Sequence, residues 1–244
     1  MISMSKIITL LLVLSIAFSI LANSEEKEIR PWYHVFFIKG FTYGYMFNDM
    51  SEVNKIAKPF GSDKIINASV FMTVDAEIQL KNDYSIFFQY VNGDGIGNGP
   101  FDRKYENGEK TTRDVRFSYG QTGIGFGRYY DIAKKSKIVP VLMVGQSYQS
   151  LKFRIQDNDF DWNTLGINIP VSYHTVELFR DDIYIQPRID LINKIGKDLG
   201  LSLALGYNIG FETRKWRTFK GSSVKNAPKS VMDGITVSLG FKLL

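Results

Sequence analysis

Six ionisable residues fall on the polar parity of segments that alternate along this chain: Asp75, Glu77, Arg128, Arg188, Asp190 and Lys242. Three are acids and three are bases. Strand direction would gather all six toward the end of a common interior that also holds the chain termini. A charge taken out of water is costly unless it is paired. The expectation is therefore a salt-bridge network across that interior, read either as a plug with a gating role or as the plain packing of a polar core. Arg116 and Glu177 are expected on the same face, nearer the opposite end. Lys39 falls on the apolar parity, where an unpaired charge is costly.

Other residues invite smaller readings. His34 and His174 are the two histidines of the chain. They belong to different segments and opposite ends, which argues against a catalytic centre using both. Ser172 and His174 share a parity across Tyr173, the arrangement of a nucleophile and its base; the alternative is a histidine at a strand end. Asp157, Asp159 and Asp161 have the 1, 3, 5 spacing of a calcium loop, but Trp162 stands where glycine is required and Asn168 where a glutamate should close the site. A solvated acidic loop is the expectation, with no metal and no cofactor. The glycine runs at 93–99 and 123–127 precede no helix and so make no phosphate cradle. Arg214, Lys215, Arg217 and Lys220, interleaved with Trp216 and Phe219, make a basic aromatic segment suited to an acidic partner or to an anionic membrane surface.

The elements that position these residues are strands. In the last segment, Ile235, Val237, Leu239, Phe241 and Leu243 alternate with Gly234, Thr236, Ser238, Gly240 and Lys242, a period of two. Leu199 to Phe211 alternates as strictly, large apolar residues against Gly, Ser, Ala and Asn. Ile66 to Leu80 alternates around Asp75 and Glu77. Further strands are read at Trp32 to Met46, Tyr84 to Val91, Thr112 to Tyr130, Ile138 to Phe153 and Ser172 to Leu191. The face assignment of Thr112 to Tyr130 is open across its glycines, where a bulge could shift it. Pro140 and Pro187 sit inside strands although they cannot donate to a ladder. The connections run long, short, long, short, long, short, long. No helical-period segment follows the first 24 residues, and nothing suggests a second domain.

Met1 to Ser24 reads as a secretory leader, with Lys6 at its start, an apolar run from Ile7 to Leu21, and small residues at Ala22 and Ser24 before a cut ahead of Glu25. The run is shorter than the roughly 20 residues of a membrane-spanning helix. The chain has no cysteine, so neither disulfides nor a lipidated cysteine are available. Aromatic residues make up 14%, with 13 Tyr and 18 Phe, a content that suits membrane interfaces. A net charge of +5 is too small to suggest nucleic acid.

A soluble barrel also alternates, but its outer face would carry Lys and Glu instead of a row of small residues. Small residues suit a narrow eight-stranded lumen. From Trp32 to Leu244 the pattern resembles the small eight-stranded outer-membrane barrels of the OmpA transmembrane domain, OmpX and OmpW types, and the segment from Gly234 to Leu244 resembles the closing signal read by the barrel-assembly machinery. It departs in ending on Leu244 instead of an aromatic residue. The resemblance implies an all-β, eight-stranded antiparallel transmembrane up-and-down barrel over residues 25–244, integral to the outer membrane of a bacterium. Its external loops would take a structural or surface-interaction role, with no catalysis. The implied partners are outer-membrane lipid, lipopolysaccharide and the assembly machinery, with an acidic polysaccharide or host surface as a further one. The alternatives are a narrow channel for small solutes or ions and a lipid-modifying enzyme. The chain resembles PagL-type lipid A modifying barrels in size, yet places Ser172 before His174 against that family's order.

Overall fold

A computed structural model describes residues 34–60, 67–96, 101–104, 110–157, 173–225, 227–228 and 232–243. The leader expected at 1–24, Ser172 and the acidic loop beyond Asp157 lie outside the described residues. Eight strands make the barrel: β1 His34–Asn48, β2 Ser69–Gln79, β3 Tyr84–Gly95, β4 Lys110–Arg128, β5 Ser136–Asp157, β6 Tyr173–Lys194, β7 Leu199–Phe211 and β8 Gly234–Leu243. Each pairs antiparallel with the next, and β8 pairs back onto β1 from Gly40↔Lys242 to Asn48↔Gly234. Closure leaves no free sheet edge, the condition for placing a strand ladder in lipid.

The short connections share one end, here called the turn end, with the start of β1 and the end of β8. One of them holds Asn82 and Asp83 at positive φ, which Asn and Asp tolerate better than most residues. The long connections share the opposite, loop end. Strands β5 and β6 run 22 residues each, well beyond the roughly 9–11 that cross a bilayer. They therefore project past the barrel at the loop end.

One parity of each strand is exposed and apolar. Phe41, Tyr43, Tyr45, Met72, Phe88, Ile124, Leu142, Ile189, Leu203, Leu205, Leu239 and Phe241 all belong to this belt. A soluble monomer does not leave so continuous an apolar surface in water. Tyr43, Tyr45, Tyr207 and Phe211 lie toward the loop end of the belt, and Tyr84 and Tyr130 toward the turn end, as aromatic residues do at the two membrane interfaces.

Four expectations need correction. Lys39 does not face outward. The β1–β2 register shifts between Phe36 and Gly40, so a bulge turns Lys39 into the barrel, where it is 4% exposed. Strand β4 keeps one register throughout but with the opposite faces: Val115, Phe117 and Tyr119 are buried in the lumen, and Arg116 and Arg128 lie on the outer face. The reason is space. A Cβ on Gly123 would lie 2.2 Å from the Tyr184 hydroxyl, and one on Gly125 would lie 2.1 Å from the Met143 sulfur. The glycines face inward because large side chains from β5 and β6 occupy the volume above them. Glu177, also expected inside, lies on the outer parity of β6, half-buried, and accepts a hydrogen bond from Ser150 Oγ at 3.0 Å.

The fourth correction is a helix, α1, at Ser51–Phe60. Asp49 Oδ1 accepts the Ser51 amide at 2.8 Å and closes its first turn. That bond holds the Asp49 carboxyl below its ordinary pKa. Met50, Val53 and Ala57 recur on one helical stripe and are buried to 1% exposure or less. They pack across the loop-end mouth with Trp216, Met232, Phe117 and Leu151. A second apolar cluster, including Phe87, Val139, Met143, Tyr184 and Ile192, fills the lumen toward the turn end.

Gly123→Ala is expected to destabilise the barrel by about 2 kcal/mol through overpacking against Tyr184. The double variant with Tyr184→Phe, which removes the nearest atom, should recover much of that loss in urea titrations of the folded chain in detergent.

Candidate functional site

Inward parity places Asp75 and Glu77 on β2, Arg188 and Asp190 on β6, and Lys242 on β8 at similar depth, and the β1 bulge adds Lys39. All six are at most 6% exposed. Lys242 ion-pairs with Asp190 and lies 3.9 Å from Asp75 Oδ2. Arg188 Nε lies 2.8 Å from Asp190 Oδ1, and its Nη2 donates to Asp190 Oδ2 at 3.1 Å. Gln89 Nε2 donates to Asp75 Oδ1 at 3.0 Å. Glu77 accepts from Ser85 Oγ and Tyr129 Oη, both at 2.7 Å, and lies 3.7 Å from Lys39 Nζ. Three acids thus meet three bases, and each carboxylate also has a hydrogen bond, the condition under which buried ions are tolerated.

Five of the six residues expected in this network are in it. Arg128 is not. Its guanidinium lies on the outer face, 5.0 Å from the Tyr84 ring centroid and 5.1 Å from that of Tyr130. Lys39 takes its place in the charge balance. Parity alone could not find Lys39, because only the pairing of β1 with β2 reveals the bulge.

Above the network lies a polar band that includes Thr73, Gln89, Gln121, Gln186 and Thr236. It encloses a cavity of about 20 Å³, enough for one water molecule. Above that, the α1 stripe and Trp216 close the mouth. Below the network, at the turn end, a more open cavity of about 220 Å³ is lined by Lys39, Tyr129, Ile192 and the turn residues Lys134, Lys135 and Lys137.

The loop end has its own charge cluster, which parity reasoning passed over. Asp181 and Asp182 are neighbours in β6, so their side chains point to opposite faces. Inside, Asp182 lies 2.9 Å from Arg180 Nε and accepts from Gln149 Nε2 at 2.7 Å and from the Thr213 amide at 3.2 Å. Arg180 Nη2 also lies 3.1 Å from Glu212 Oε1. Outside, Asp181 Oδ2 accepts from Arg217 Nη2 at 2.6 Å, with Arg214 Nη1 3.6 Å away. The paired carboxylates clamp the start of the last long loop to the barrel from both sides.

That clamp divides the basic aromatic segment. Trp216, expected at the surface, is 1% exposed and belongs to the plug, with Nε1 donating to the Pro228 carbonyl at 2.7 Å. Arg214 and Arg217 belong to the clamp. Lys215, Lys220 and Phe219 remain outward, and Phe219 is 82% exposed. His174 sits at the loop end of β6, its backbone paired with Ile155, while His34 begins β1 at the turn end. Among the described residues no group of His, Cys, Asp and Glu is placed to hold a metal ion.

The closed ladder and the lipid-facing belt make this chain a small eight-stranded barrel of the outer-membrane type. No family model matches the sequence. No curated protein matches it either. Among solved structures, the crystal structure of Ail, the attachment invasion locus protein of Yersinia pestis, is similar over 84% of this chain and 97% of that one, at 10% identity and a TM-score of 0.42. The structure of Ail in complex with the heparin analogue sucrose octasulfate is similar over the same shares, at 10% identity and a TM-score of 0.40.

Asp190→Asn removes the carboxylate shared by Arg188 and Lys242 and leaves two buried cations facing each other. The expected loss is about 3–5 kcal/mol. The double variant with Lys242→Met should be less destabilised than the sum of the two single changes, which a double-mutant cycle on unfolding midpoints measures.

Proposed function

We propose that this chain is an integral barrel of a bacterial outer membrane, exported by its leader, that works through its external loops instead of through a pore or a reaction. The supporting observation is the filling of the lumen: an ionic network, a band with room for one water, and an apolar plug lie in series along it. Through such a stack a hydrated solute would have to displace Trp216 and the buried face of α1. The turn end faces the periplasm in this reading, and the long connections face outward.

The surface offered to a partner is the outward part of the last loop, with Lys215, Lys220 and the ring of Phe219. Flexible cations beside an exposed aromatic ring favour a sulfated or phosphorylated surface over a neutral one. The partner class is therefore acidic glycan, either the phosphorylated sugars of lipopolysaccharide or an acidic polysaccharide of another surface. Asp181 supports the role indirectly by fixing the loop's base through Arg217.

Two measurements test the reading. The refolded barrel, shown to be inserted, should be silent in a planar bilayer, and discrete openings would instead favour the narrow channel. Heparin, as a sulfated probe, should bind with an affinity that falls as salt rises, because exposed charges are screened beyond about 8 Å at physiological ionic strength. The triple variant Lys215→Gln, Phe219→Ala, Lys220→Gln should bind about 10-fold more weakly, the equivalent of about 1.4 kcal/mol. Unchanged binding in the triple variant would remove this loop as the contact surface.

A further inference from the structure

The outer face carries a groove of about 650 Å³ that crosses the belt between larger side chains. Its floor follows one row of cross-strand partners: Gly127↔Val141, Val141↔Arg188, Arg188↔Gly206 and Gly206↔Thr236. Four rungs at about 4.8 Å per strand give a length of about 19 Å. The row begins at the turn end of β4 and finishes beside Ile235, at the loop end of β8, so it runs obliquely across the membrane-facing surface.

The groove exists because two outward positions are proline. Pro140 and Pro187 fall on neighbouring strands, each paired with a larger residue, Ile189 and Leu142 respectively. Their compact rings leave the row low between Leu142, Ile189 and Leu205. The β6–β7 ladder keeps one register on both sides of Pro187, from Ile185↔Ile209 to Arg188↔Gly206, but lacks rungs at Gln186 and Pro187. A proline there removes a donor without shifting the strand.

At its turn end the groove stops at Arg128, the last residue of β4. The guanidinium lies over the rings of Tyr84 and Tyr130, and its Nε is buried without a hydrogen-bond acceptor among the described residues. A cation held by two rings at the interface, at the mouth of an apolar channel the length of one extended acyl chain, is complementary to a lipid with an anionic phosphate headgroup.

We propose that this groove binds one anionic phospholipid of the periplasmic leaflet, its phosphate on Arg128 and one acyl chain laid between Pro140, Pro187 and Gly206. The inference rests on the membrane reading above. Arg128 supplies a charged fork to the phosphate oxygens, and the tyrosines hold it in place. The groove supplies the apolar contact that sets the bound lipid apart from its neighbours in the bilayer.

The test uses the full chain refolded in detergent and then offered phosphatidylglycerol, phosphatidylcholine or inorganic phosphate, with retained lipid read by native mass spectrometry. Wild type should retain one phosphatidylglycerol at least several-fold better than phosphatidylcholine, and inorganic phosphate should not displace it. Arg128→Gln should abolish the preference, and Pro187→Phe, which fills the groove, should abolish retention of either lipid. Equal retention of the two lipids by wild type, or unchanged preference in Arg128→Gln, would overturn the proposal. Displacement by inorganic phosphate would overturn the acyl-chain part of the site. Insertion into vesicles is scored in parallel. A chain that fails to insert refutes the membrane reading, whereas one that inserts and shows no preference refutes the groove alone.

Discussion

Closing eight strands into a barrel leaves an interior wide enough for side chains and little else. Every inward residue must then find its partners from strands across the lumen. Lys242 shows how much depends on this. It lies on the closing strand, beside the seam with β1, and reaches Asp190 on β6 and Asp75 on β2. The bulge that turns Lys39 inward lies on the other side of the same seam. The ionic network is thus also a set of cross-links at the one pairing that joins the two ends of the chain.

The same constraint shapes the loop end. A barrel mouth that faces water must either fill or be covered, and here it is covered by an amphipathic helix and a tryptophan. The neighbouring pair Asp181 and Asp182 ties this cover to the wall, one carboxylate on each face of β6. A loop anchored so firmly at its base can present Lys215, Lys220 and Phe219 without the barrel itself rearranging. The result is a lumen filled by ionic and apolar side chains beneath an exposed cationic tip.

The outer surface follows a different rule, since lipid supplies no hydrogen bonds. Apolar side chains cover most of it, and the exceptions stand out: a pair of prolines that lower one oblique row and an arginine stacked between tyrosines at its interfacial end. In water an arginine beside two rings would be ordinary. At the edge of a hydrocarbon belt it has few anionic partners besides a headgroup.

Strict alternation in Leu199 to Phe211 and in Ile235 to Leu243 was sufficient to read strand and face from the amino-acid order, because every second residue is large and apolar while its neighbours are small. Eight such segments joined by alternately long and short connections pointed to the closed barrel. The same rule placed Asp75, Glu77, Arg188, Asp190 and Lys242 together in the lumen. It failed where side-chain size carries no face information. The glycines of β4 could face either way until Tyr184 and Met143 claimed the space above them, and so Arg116 and Arg128 were assigned inside. The Lys39 bulge is a property of two paired strands and has no signature in one. Met50, Val53 and Ala57 are too few to announce a helix, and they form a buried stripe only against the mouth they close, with Trp216 beside them. Alternation is local, so the sequence by itself determined the barrel. Bulges, plugs and clamps are set by which distant side chain occupies a shared volume, so only the tertiary structure decided them.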